Sequence, residues 1–150
     1  MNSYLSDIYA RDEYAEDFYP QKLCNFLYQK YLVSRGVEKG VLLDIGSGKG
    51  NQLVGFGRNN FECFGIDKRE ECVDILDSFD IRECDLESDK LPFDSNYFDV
   101  IFTKSVIEHV FNTEHFLKEA NRVLKPGGVL IVLTPDWKSQ FRSFYDDYTH

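Results

Sequence analysis

The chain has 150 residues, 43% apolar and 29% charged, a balance that fits one folded domain and excludes global disorder. Its 17 basic residues stand against 26 acidic ones, and the resulting net charge of −9 disfavours docking on a nucleic-acid phosphate backbone. No apolar run approaches the roughly 18 residues of a membrane span, and Met1–Asp7 lack the basic start and apolar stretch of a secretory signal.

In chain order, residues 1–40 read as an N-terminal helical cap. The segment from Tyr4 to Tyr19 is rich in tyrosine and acids, and Tyr14, Phe18 and Tyr19 are expected either to close over a site or to cover a sheet. Gln21 to Arg35 has the spacing of an amphipathic helix with Leu23, Phe26, Leu27 and Tyr31 inward, ended by Gly36. Residues 41–135 then alternate short apolar runs with helical stretches. Val41–Ile45 predicts a strand, Gly46–Gly50 a glycine turn, Asn51–Arg58 a short helix and Glu62–Ile66 a second strand. Arg69–Phe79 predicts a helix with Cys72, Val73, Ile75, Leu76 and Phe79 mostly on one face, followed by strands at Ile81–Cys84 and Phe98–Thr103. A helix capped by Asn112 or Thr113 runs to Leu124, with Phe116, Leu117, Ala120, Val123 and Leu124 as its apolar stripe. Lys125-Pro126-Gly127-Gly128 stops it before a fifth strand at Val129–Leu133.

Continuously apolar strands alternating with helices predict a parallel sheet covered on both faces, a three-layer, doubly wound α/β fold of Rossmann-like type. Residues 136–150 place Phe141, Phe144 and Tyr145 at helical spacing with no strand after them. That pattern predicts a truncated C-terminal segment, or a surface completed by a homo-oligomer. Cys24, Cys63, Cys72 and Cys84 form no C-x-x-C pair, so no metal site is expected. They read as reduced thiols filling apolar gaps in a cytoplasmic protein.

Three strand ends carry the chemistry. After the first strand, Gly46, Ser47, Gly48, Lys49 and Gly50 form a loop whose glycines permit positive φ and close backbone approach to a ligand. The following helix start would offer N–H groups to an anion. A dinucleotide fingerprint needs glycines at 46, 48 and 51, but Asn51 stands there and the third glycine is Gly50, which counts against a nicotinamide-dependent oxidoreductase. Asp67 follows the second strand, about 20 residues beyond Gly46, where an acid accepts from ribose hydroxyls. Asp85 and Leu86 follow the third strand. An acid there can accept from an exocyclic adenine amine while the next N–H donates to a ring nitrogen.

Leu43–Gly50, Gly65-Ile66-Asp67, Cys84-Asp85-Leu86 with Leu91-Pro92-Phe93, Phe98–Phe102 and Arg122–Gly128 together resemble, in order, the segments of class I S-adenosylmethionine-dependent methyltransferases of the small-molecule type. The resemblance runs from about Val41 to Pro135. It implies S-adenosyl-L-methionine as cofactor, with Asp44, Gly46 and Gly48 around its methionine end, Asp67 at the ribose, Asp85 and Leu86 at the adenine, the Lys104 carbonyl at its amino group, and Ser47, Gly50 and Lys68 also in the cofactor site. It implies methyl transfer by in-line displacement to a small-molecule, lipid or glycan acceptor. His109 is the candidate general base where the acceptor must lose a proton, and Glu108 is a weaker one. His115 reads as solvated surface and Trp137 as packing. The stretch Thr134–Trp137 and the tail from Phe144 to His150 are similar to methyltransferases of bacterial surface-glycan pathways. The resemblance implies two C-terminal strands beyond the five found here, and their absence also admits a non-catalytic S-adenosylmethionine-binding module or an inactive fragment.

Overall fold

The structure, a computed structural model, describes residues 19–68, 79–136 and Lys138. The expected lid residues Tyr14 and Phe18, the helix expected over Arg69–Phe79 apart from its last residue, Trp137 and the tail aromatics lie outside the described residues. The strands are β1 (Gly40–Ile45), β2 (Phe61–Asp67), β3 (Asp80–Glu83), β4 (Phe98–Lys104) and β5 (Leu124–Leu133). The helices are α1 (Tyr19–Leu27), α2 (Asn51–Gly57) and α3 (Thr113–Val123). All strands are parallel, in the order β3-β2-β1-β4-β5. The order reverses between β1 and β4, which opens a crevice at their C-terminal ends.

The pleat sends alternate side chains to opposite faces. Leu42, Cys63, Val100 and Phe102 meet Cys24 and Leu27 of α1 and Leu53 and Phe56 of α2 on one side. On the other, Leu43, Ile45, Ile66 and Ile101 meet Phe116, Ala120 and Val123 of α3. Each fully buried side chain of this size contributes about 1.5–3 kcal/mol. The three layers follow directly from the two-residue alternation meeting two helical stripes.

Several local expectations shift. The helix from Tyr19 widens into a π turn at Tyr28–Leu32, then a 3-10 turn, and ends at Gly36 with φ 74°. The wider turn changes the phase of the stripe. Leu32 is therefore fully buried and Tyr31 36% exposed, while Phe26, ahead of the turn, is 52% exposed. Those two rings instead pack on each other outside, 6.4 Å apart under the Lys30 ammonium. Cys24 sets the inward face, lying so close to Gly55 that a Cβ there would stand 2.6 Å from its Sγ. On α3, Asn112 is the cap, accepting from the His115 N–H, and Leu117 lies outside the stripe.

The largest shift is at Leu124. It is not the last helical residue but the first of β5, paired with Phe98 in front of a register break. The break is held by Asp99, whose carboxylate takes the Lys125 ammonium at 2.8 and 2.9 Å and the Val41 N–H at 2.8 Å. Gly127 supplies a φ of 81°, and Gly128 has no Cβ to strike Leu124 or the Asp99 carbonyl.

Candidate functional site

The loop after β1 folds back onto β2. The Gly46 and Ser47 N–H groups both donate to the Ile66 carbonyl, at 2.8 and 3.1 Å, and the Gly50 N–H donates to the Ser47 carbonyl. Gly46, Gly48 and Gly50 all have positive φ, at 77°, 50° and 74°. Their constraints differ. A Cβ on Gly46 would stand 2.3 Å from Val106, whereas among the described residues nothing lies within 4 Å of one on Gly48. Gly46 is required by packing and by φ together. Among the described residues, Gly48 is constrained by φ and by no neighbour of its Cβ position.

Two polar side chains are sealed beneath this loop. Asp44 pairs in register with Gly65 and Phe102, so its side chain emerges on the face covered by α1 and α2. Ser47 Oγ occupies the space that a Gly65 side chain would fill. Both residues are 2% exposed, and among the described residues Asp44 Oδ2 and Ser47 Oγ have no hydrogen-bond partner. Burial pushes the Asp44 carboxyl up to about 8, the nearby Asp67 charge adds to the rise, and Lys104 opposes it.

Asp67, at the end of β2, accepts the Gly48 N–H at 2.8 Å, while its carbonyl takes the Cys84 N–H. Asp85 accepts the Glu87 N–H at 3.0 Å, an Asx turn that closes the loop after β3. Lys68 reaches across to Asp85 at 3.9 Å, both side chains well exposed, which makes the pair a weak one. These strand ends frame a cleft of about 300 Å³. Gly46, Asp67, Lys68, Asp85, Leu86, Lys104 and His109 all line it. Asp44, Ser47 and Gly50 are buried, and Gly48 is exposed on the loop. Sequence reasoning missed two features of the cleft and one contact of α3. Glu87 grips the Phe111 and Asn112 N–H groups with its two oxygens, each at 2.8 Å, and so ties the β3 loop to the cap of α3. Ser105, at the rim, holds a φ of 55°. His115 is not plain surface, because its Nε2 lies 2.9 Å from the Asp89 carbonyl. Glu87 and His115 find partners some 25 residues away, and no local pattern announces such pairs.

A larger cavity of about 500 Å³ lies against Phe64, Arg82, Phe93 and Tyr97, away from the glycine loop. Its arginine is already engaged by Asp80 and the Pro92 carbonyl and stacks on Phe93 at 4.4 Å. The segment Leu91–Phe93 is fixed by α3. Glu119 takes the Leu91 N–H, and Arg122 donates to the carbonyls of Leu91 and Phe93 while pairing with Glu119 at 2.7 Å. The thiols of Cys24, Cys63 and Cys84 are free and buried. Burial followed by neighbouring acids raises all three, Cys84 to about 11, which keeps them unreactive. Among the described residues no helix is long and apolar enough to cross a membrane, and no His, Cys, Asp and Glu side chains gather into a metal-binding group.

Residues 43–132, more than half of the chain, match the family described as "Methyltransferase domain". An uncharacterised protein of Methanocaldococcus jannaschii is 27% identical over 139 residues, covering 91% of this chain and 66% of that protein. The mitochondrial ubiquinone biosynthesis O-methyltransferase of Rattus norvegicus is 36% identical over 104 residues, covering 62% of this chain and 30% of the enzyme. The crystal structure of an S-adenosylmethionine-dependent methyltransferase from Archaeoglobus fulgidus superposes with a TM-score of 0.70 at 19% identity, over 92% of this chain and 64% of that one, a likeness of fold. The chain thus spans less than two thirds of the length of these relatives. Joined to the parallel sheet and to a glycine loop that leads into a cleft at the switch point, the family match means that this chain belongs to the class I S-adenosylmethionine-dependent methyltransferases.

Proposed function

We propose that the chain binds S-adenosylmethionine in the cleft above β1, β2 and β3 and passes a methyl group to a small-molecule, lipid or glycan acceptor. The observation that carries this reading is the convergence of Gly46, Asp67 and Asp85, from three successive strand ends, on one cleft. The residues fit the cofactor. Among the described residues, the buried Asp44 Oδ2 and Ser47 Oγ lack partners, which leaves polar groups for a ligand to satisfy. In this reading the loop from Gly46 to Gly50 shapes the seat of the methionine end. Asp67 accepts from the ribose hydroxyls, with Lys68 beside it. Asp85 accepts from the adenine amine, the Leu86 N–H donates to the ring, and the Lys104 carbonyl takes the amino group.

When bound, the cofactor supplies a methyl already activated by its sulfonium. The protein's task is therefore alignment, which can supply about 7–11 kcal/mol of a barrier. Val106 and Val110 add apolar surface to the cleft, and the exposed His109 takes a proton where the acceptor carries one to lose. The rat relative is named for ubiquinone biosynthesis, which supports a small-molecule acceptor. The net charge of −9 argues against nucleic acid, and the buried free thiols suit a cytoplasmic protein.

Calorimetric titration with S-adenosylmethionine tests the binding, and transfer of a labelled methyl group to candidate acceptor pools tests the chemistry. A folded sample that shows no heat of binding at millimolar cofactor ends the reading.

A further inference from the structure

We infer that capture of the cationic cofactor expels a proton from Asp44, so that this carboxyl is neutral in the ligand-free protein and becomes the ligand's counter-charge on binding. The inference rests on the proposed cofactor. It begins from the geometry beneath the glycine loop. Asp44 is 2% exposed, and among the described residues neither its Oδ2 nor the buried Ser47 hydroxyl has a partner. A scaffold acid would be expected to use its oxygens, since an unpartnered buried acceptor forfeits about 1–3 kcal/mol.

The groups facing Asp44 explain its state. Its pairing with Gly65 and Phe102 sends the side chain toward the layer of α1, whose Cys24 shares the face with Cys63 of β2. Both thiols are themselves pushed upward, by burial and then by Asp44. They stay neutral and supply no positive charge. Asp67 at the end of β2 repels a second negative charge, and Lys104 at the end of β4 favours one. Burial and Asp67 together outweigh Lys104, and the carboxyl rises to about 8. A sulfonium- and ammonium-bearing nucleoside in the cleft reverses that balance, because an added cation favours the charged form. The Asp44 O–H bond breaks, its electron pair stays on the carboxylate, and the proton passes to bulk buffer.

The test is calorimetry with S-adenosylmethionine at pH 7 in buffers of different ionisation enthalpy, where the slope of heat against that enthalpy counts protons. A carboxyl near 8 is about 0.9 protonated at this pH, so release of about 0.5–0.9 proton is expected. Capturing the ligand as its ammonium form takes up roughly 0.1–0.2 proton, given an α-amino value near 7.7–8.0. That uptake cancels in the difference between the native protein and Asp44→Asn, which is expected to release none at saturation.

Because Asp44→Asn can fold poorly, carboxyl ¹³C NMR on the native protein serves as a second readout. One aspartate signal should titrate near pH 8 without ligand and move to the ionised position at pH 7 when cofactor is added. A buffer-independent heat of binding, a slope shared by Asp44→Asn, or an aspartate that stays neutral under saturating cofactor overturns the inference. Absence of any binding refutes the proposed cofactor and takes this inference with it.

Discussion

Asp99 and Asp44 sit at opposite ends of the same sheet, and they are treated in opposite ways. At the N-terminal end, burial would raise Asp99, but the Lys125 ammonium and the Val41 N–H outweigh it and hold the carboxyl below its ordinary range. That end is closed, because every contact of Asp99 ties one strand to another. At the C-terminal end, Asp44 is more deeply buried, has an unpartnered oxygen and faces a second acid. A fold tolerates such a group where a ligand is to complete it. The lower end of the sheet is built for stability, and the upper end is left chemically unfinished.

The strongest way to break this contrast is Gly46→Val. It combines a disfavoured φ with overlap on Val106 and should lower stability by about 3–5 kcal/mol, read from urea unfolding, with cofactor binding lost. The pH dependence of the ligand-free protein comes next. Asp44 binds a proton more tightly folded than unfolded, so its contribution is full below the ordinary carboxylate range and is lost as pH rises toward about 8. Stability of the ligand-free protein should therefore fall by a few kcal/mol, on the order set by such a shift, between pH 5 and 9, and Asp44→Asn should flatten that fall. Thermal melts across pH in both proteins check it.

Arg122→Ala leaves Glu119 without its partner and frees the Leu91 and Phe93 carbonyls. A loss of about 3 kcal/mol in stability is expected, with cofactor affinity affected far less. Asp67→Ala should do the converse. Calorimetry should show affinity for S-adenosylmethionine weakened by about 1.5–3 kcal/mol, with the melting temperature nearly unchanged. The smallest effect belongs to Lys125→Met. Its pair with Asp99 is partly solvated, so about 1 kcal/mol is at stake. Asp99 contributes above the ordinary carboxylate range and loses that contribution as pH falls, so the stability gap between variant and native protein, read from urea unfolding, should be full at neutral pH and narrow in acid.

The strands, the three glycines and the two strand-end acids were legible from the amino-acid order, because each depends on neighbours within a few residues. Apolar alternation marks a buried strand, and a glycine run marks a backbone that must turn with positive φ. The resemblance to methyltransferases rested on the same local segments. What only the tertiary structure decided has partners far along the chain. It moved Tyr31 outward and Leu32 inward through a π turn, made Leu124 a strand residue because Asp99 anchors Lys125, and let Glu87 join the β3 loop to α3. It also separated Gly46, Asp67 and Asp85, which line the cleft, from Asp44, which is sealed beneath the glycine loop. One-dimensional order records which groups a protein owns, but burial and charge balance at a point depend on everything packed around it. The unusual state of Asp44 is therefore a property of the fold.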